Sequence, residues 1–131
     1  MIVAVADTHA LVWALLGDAR LSPAARAALS VTGSDQVAVS AITLVEIVYL
    51  EEKRRLPAGV FARVSGVLAT PGGVLVEVPV DVTVVQALSH VTRESIPDMP
   101  DRIIAATALH LGVPLISRDA KIRASNITTV W

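Results

Sequence analysis

Asp7, Glu46, Asp101 and Asp119 are the residues whose type and placement imply chemistry. Three of them have a competing structural use. Asp7 follows the apolar run 2–6 and can cap the helix that starts after it. Asp101 falls in the first turn of an Ala-rich helix, where the dipole favours an anion. Its spacings of four and seven to Ala105 and Ala108 put it in line with a stripe that should be buried. Asp119 suits a turn. Glu46 has no such use: its neighbours Ile42, Tyr49 and Leu50 should face a core, where a lone carboxylate is rare.

Taken together, four carboxylates brought to one place repel one another and push some of their pKa values up. A divalent cation removes the conflict. An all-oxygen donor set suits Mg²⁺ or Mn²⁺, which keep several waters and bind phosphate oxygens. The chemistry that follows is metal-assisted hydrolysis, in which an ion lowers the pKa of an attacking water and stabilises developing charge. One ion or two is left open.

The elements around the acids can bring them together. Short apolar runs at 2–6, 36–39, 74–78, 113–117 and 127–130 read as buried strands. Helices are expected at 10–16 (closed by Gly17), 24–30 (with Pro23 at its first position), from 40–43 to 55, 60–69, 81–90 and 120–123. The longest helix is led by Pro97 and Pro100, with Asp98 placed as a capping carboxylate, and is ended by Gly112 and Pro114. Alternating strands and helices predict an α/β domain with a mostly parallel sheet, whose ligands bind beyond the carboxyl ends of the strands. Asp7 and Asp119 follow strands, while Glu46 and Asp101 lie in helices led in from that end.

With 131 residues and no break in composition, the chain reads as a single domain, 1–131. The apolar share is 53% with few aromatics, so Val, Leu, Ile and Ala build the core and some apolar surface is expected to meet a partner. A formal net charge of −1 supplies no bulk field for nucleic acid, so any such contact must come from local patches or bound cations. No cysteine is present, which excludes disulfides and Cys-type zinc sites and suits the cytoplasm. No apolar run reaches membrane-spanning length, and Asp7 and His9 interrupt anything like a signal peptide, so a soluble protein is expected.

Four segments together carry a family resemblance. They are Asp7-Thr8-His9-Ala10-Leu11, Ser40-Ala41-Ile42-Thr43-Leu44-Val45-Glu46-Ile47, Asp98-Met99-Pro100-Asp101-Arg102-Ile103-Ile104-Ala105-Ala106-Thr107-Ala108 and Leu115-Ile116-Ser117-Arg118-Asp119. In order and spacing the chain resembles PIN-domain proteins, specifically the VapC toxins of type II toxin–antitoxin systems. The resemblance implies a three-layer α/β/α sandwich and an Mg²⁺- or Mn²⁺-dependent endoribonuclease. It also implies an RNA substrate, a homodimer and a cognate VapB-like antitoxin lying across the toxin. Asp7, Glu46, Asp101 and Asp119 match the family's acidic quartet, with Asp7 and Asp101 as direct metal ligands and Glu46 and Asp119 as ligands or holders of metal-bound water. Asp98 is either an extra contributor to that set or a cap, which explains it as well. The His that many relatives carry before Asp101 is missing here.

Other polar residues have smaller expected roles. Thr8, Ser40 and Ser117 end strands near the acids and can orient ligands, or, as preferred for Ser40, satisfy local backbone. His9, His90 and His110 lack metal-ligand spacing. Arg102, Arg118, Lys121 and Arg123 flank the acids and are candidates to grip phosphates. Trp13 and Tyr49 are expected to pack in the core or on a partner, and Trp13, Tyr49, Leu50 and Leu56 mark the expected antitoxin groove. An aspartyl-phosphate phosphohydrolase with Asp7 as nucleophile is a rival reading, but it wants a second Asp where His9 stands. A catalytically inactive PIN-like module binding RNA or protein is another, and it would be expected to lack one of the acids.

Overall fold

The run Ile2–Ala6 (β1) is apolar at every position because both of its faces are covered. Alternate residues serve different cores: Ala4 and Ala6 join one apolar cluster, and Val5 joins the other. The same alternation, imposed by the two-residue repeat of a strand, sends Val37 and Val39 of β2 (Gln36–Ser40) one way and Ala38 the other. A computed structural model describes residues 1–131. Its sheet has five strands in the order β3-β2-β1-β4-β5, where β3 is Leu75–Val78, β4 is Leu115–Ile116 and β5 is Thr129–Val130. Every pairing is parallel.

Helices α1 (Thr8–Leu16), α2 (Pro23–Leu29) and α4 (Val60–Ala69) cover one face, and α5 (Val82–Ala87), α6 (Met99–Leu111) and α7 (Ala120–Arg123) cover the other. The result is the expected three-layer α/β/α sandwich. The helix α3 (Ala41–Glu52) leaves the end of β2 and contributes Ile47 to the first core and Ile42 to the second. Its far end is tied down where Glu51 Oε1 accepts the Phe61 N–H at 2.6 Å. That bond supplies α4 with a cap that Gly59, lacking a side chain, cannot.

The longest helix, α6, has an unbroken buried stretch, with Ile104 to Ala108 all enclosed. Its run of small side chains lets it lie close to the sheet, and Ile104 supplies bulk worth about 2–3 kcal/mol of buried apolar surface. Thr107 is tolerated there because its hydroxyl donates to the Ile103 carbonyl at 2.8 Å. Gly112 ends the helix in the left-handed region, φ 67°, where a side chain would be strained.

Several expectations need correction. The first helix begins at Thr8, two residues early, because Asp7 caps it directly. Residues 88–90 tighten into a 3-10 turn rather than continuing α5. Tyr49 faces outward, 53% exposed, because Thr43 and Ile47 take the buried stripe of α3. Arg102 does not face substrate: its guanidinium donates to the carbonyls of Val91 at 2.6 Å and Leu88 at 3.0 Å, closing off the 3-10 turn.

Candidate active site

The carboxyl end of the sheet holds a cleft of 510 Å³ lined by Asp7, Glu46, Asp98, Asp101 and Asp119, with His9, Trp13, Arg20 and Arg118 on its rim and walls. All four acids singled out from the sequence therefore meet in one place. They arrive from four different segments, and each is set by local backbone.

Asp7 ends β1 and is 6% exposed. One of its oxygens accepts the Ala10 N–H at 2.8 Å, so its capping role and its place in the cleft coexist. Asp119 does the same for α7: Oδ1 accepts from Lys121 at 2.9 Å and Ile122 at 3.0 Å. In both residues the helix cap occupies one oxygen, and the carboxyl still lines the cleft. Glu46 is held from across the cleft by the Thr8 hydroxyl, which donates to Oε1 at 2.5 Å and lies 3.2 Å from the Thr43 hydroxyl. Thr8 thus orients an acid. Ser40 only accepts the Ile42 N–H, as preferred. Ser117 accepts the Asp119 N–H at 3.1 Å and sits beside Asp7, whose ionised form its hydroxyl favours.

Of the two readings of Asp98, as a cap or as an extra member of the acidic set, the second holds. It occupies the N-cap position of α6 but makes no capping hydrogen bond. Instead its carboxylate lines the cleft as a fifth acid. The sequence offered a signal for this, since an Asp three residues before Asp101 is one turn away and reaches the same side.

The electrostatics follow from this crowding. Burial first, then the charges of Asp98, Asp119, Glu46 and Asp7, push the Asp101 carboxyl up to about 7 from 3.8. Burial also raises Glu46, against the Thr8 hydrogen bond that lowers it. Asp7 is raised by burial too, and only partly pulled back by Ser117, the Ala10 N–H and His9. No three His, Asp or Glu side chains stand close enough together to hold one ion by themselves. Mg²⁺ does not require three, because it is bound through one or two carboxylates with waters completing its shell. A crowded all-carboxylate set in which Asp7, Glu46 and Asp101 hold their protons abnormally tightly is what a hard divalent cation would relieve.

Of the cationic side of the cleft, the sequence pointed to Arg118 but not to Arg20. Arg20 stacks on Trp13 and pairs with Asp18, and nothing in a loop residue following Gly17 marks it as part of a site. Trp13 is buried, as expected, yet its ring edges the cleft.

With this geometry in view, comparison with known proteins is decisive for the family. The model of the PIN domain matches residues 4–126. The chain belongs to the PIN domain family. No curated protein matches this PIN domain in sequence. In structure it is similar to VapBC2 from Rickettsia felis bound to a promoter DNA fragment, with a TM-score of 0.68 and 18% identity, over 98% of this chain and 97% of that one. A toxin-antitoxin complex from Klebsiella pneumoniae gives a TM-score of 0.68 at 25% identity, over 98% and 96% of the two chains. VapC20 of Mycobacterium tuberculosis, a toxin cleaving the sarcin-ricin loop, gives 0.63 at 20% identity, over 95% and 96%. No helix of this PIN domain is long and apolar enough to cross a membrane.

Proposed function

We propose that this PIN domain is a metal-dependent endoribonuclease and the toxin of a type II toxin–antitoxin system. The observation that carries the reading is the convergence of Asp7, Glu46, Asp101 and Asp119 on one cleft at the carboxyl end of a parallel sheet. Asp7 and Asp101 would hold Mg²⁺ or Mn²⁺ directly, with Glu46 and Asp119 as further ligands or as acceptors for its waters. When bound, the ion supplies a water of lowered pKa and neutralises charge developing on a phosphodiester. The chain's own part is to hold the carboxylates ready. Backbone N–H groups at the starts of α1 and α7 fix Asp7 and Asp119, and Thr8 fixes Glu46.

The toxin role draws on the similarity to toxin-antitoxin complexes. An antitoxin needs apolar surface to cover. The outer face of α3 offers it, with Val45 61%, Val48 38% and Tyr49 53% exposed. Trp13, expected to share that groove, is turned inward and does not. A homodimer belongs to the same proposal.

The test is cleavage of total RNA and transfer RNA with Mg²⁺ or Mn²⁺, comparing the native chain with Asp7→Asn and Asp101→Asn. Metal-dependent cleavage lost in both variants, with circular dichroism unchanged, is the expected result. Equal cleavage by the variants would sink the assignment of these carboxylates.

A further inference from the structure

We infer that Trp13, Arg20 and Arg118 form a phosphate-holding wall of the acidic cleft, in which the Arg118 guanidinium grips a backbone phosphate of single-stranded RNA beside the scissile bond while Arg20, held by Asp18, adds positive charge to the same wall. This rests on the nuclease reading above. The guanidinium carbons of Arg20 and Arg118 each lie 4.7 Å from the centre of the Trp13 ring. That ring is itself braced edge-on by Trp131 at 5.8 Å and tilted against His9 at 5.6 Å. At 6% exposure Trp13 has no face free for a nucleobase, so what it offers the cleft is a platform for cations.

The two arginines are not equivalent. Arg20 is engaged by Asp18 through two contacts, 3.1 Å at Nε and 2.8 Å at Nη2. Arg118 is exposed and forms neither an ion pair nor a side-chain hydrogen bond within the protein, although Asp119 is its neighbour in sequence. A guanidinium stacked on an indole with its fork unused is positioned for a planar, two-point acceptor such as a phosphate. The cleft needs it. Five carboxylates repel a polyanion, and a net charge of −1 supplies no compensating field, so attraction must be local.

The measurement is binding of a short fluorescein-labelled single-stranded RNA by anisotropy across a KCl series at fixed Mg²⁺, using Asp7→Asn protein so that the probe survives. Arg118→Ala should raise Kd about tenfold and reduce the slope of log K against log salt by about 0.7, one phosphate contact. Arg118→Lys should keep the slope but recover only part of the affinity, because a point charge lacks the fork. Trp13→Phe, with a weaker platform, should fall between. In cleavage by otherwise native protein, Arg118→Ala should raise KM and leave kcat nearly unchanged. Slope and KM both unchanged in a folded Arg118→Ala protein would overturn the inference, as would no RNA binding at any salt. If Asp7→Asn abolishes cleavage while Arg118→Ala changes nothing, the wall fails and the nuclease stands. If Arg118 carries salt-dependent binding but native protein cleaves no RNA, the wall stands and the nuclease falls.

Discussion

Replacing Asp101 by Asn should make the metal-free protein more stable at neutral and alkaline pH. In the folded state this carboxyl holds its proton up to about 7, against 3.8 for the free side chain. The difference corresponds to ~4 kcal/mol against the ionised form. Asp101 is only partly buried, so solvent screening reduces this to ~2 kcal/mol. Between the two values the folded state binds more protons than the unfolded one, so stability falls as pH rises. The penalty is absent below about pH 4, grows to about pH 7, and is constant above. Asn has the shape of the protonated acid without its ionisation. Urea unfolding in EDTA should therefore give similar stability for the two proteins near pH 4. The Asp101→Asn variant should then lead by ~2 kcal/mol at pH 8. Mg²⁺ should narrow that lead by stabilising only the native carboxylate set. Parallel stability curves across the whole range would refute the claim that the acids crowd one another.

Three other outcomes test the local arguments. Asp98→Ala should cost well under the ~1 kcal/mol typical of a helix cap, because Asp98 makes no capping bond. Asp81→Ala, which removes bonds from the N–H groups of Thr83 and Val84, should cost about that full amount in the same urea assay; equal losses would restore Asp98 as a cap. Arg102→Ala should lose about 1.5–3 kcal/mol through its two carbonyl contacts and leave the salt slope of RNA binding unchanged. A changed slope would return Arg102 to the substrate surface. Ile104→Ala, at a position with 0% exposure, should cost about 2–5 kcal/mol by thermal or urea unfolding, and a loss below ~1 would mean α6 does not seal the core as described.

The layered architecture was legible because the strands are short, mostly apolar and rich in Val and Ile, and every helix has a start or stop signal nearby. Helix α4 falls where its pattern puts it, at Val60–Ala69. The fourth strand is more instructive. Only Leu115–Ile116 is regular strand, yet Val5 N–H reaches the Pro114 carbonyl and Ser117 N–H the Val130 carbonyl, so pairing extends beyond the regular part. The convergence of the acids was legible because strand ends in a parallel sheet share one edge. What escaped depends on tertiary contact. Tyr49 faces out because a helix has room for one buried stripe, and which one is decided by neighbours far along the chain. Arg102 turns away from the cleft because a 3-10 turn nearby presents two carbonyls. Arg20 enters it because Trp13 gives its guanidinium a surface.

The order of the strands also governs when the site can exist. β1 lies between β2 and β4, so Val5 pairs with Ala38 on one side and with Leu115 on the other. During synthesis from the N-terminus, Asp7 and Glu46 emerge early, while Asp101 and Asp119 come from segments made long afterwards. A nascent chain therefore carries two of the five acids, an open edge on β1 and no assembled cleft. If the domain is the toxin proposed here, its ribosome is spared a working nuclease at its own exit until residue 119 has been made and β4 has paired with β1.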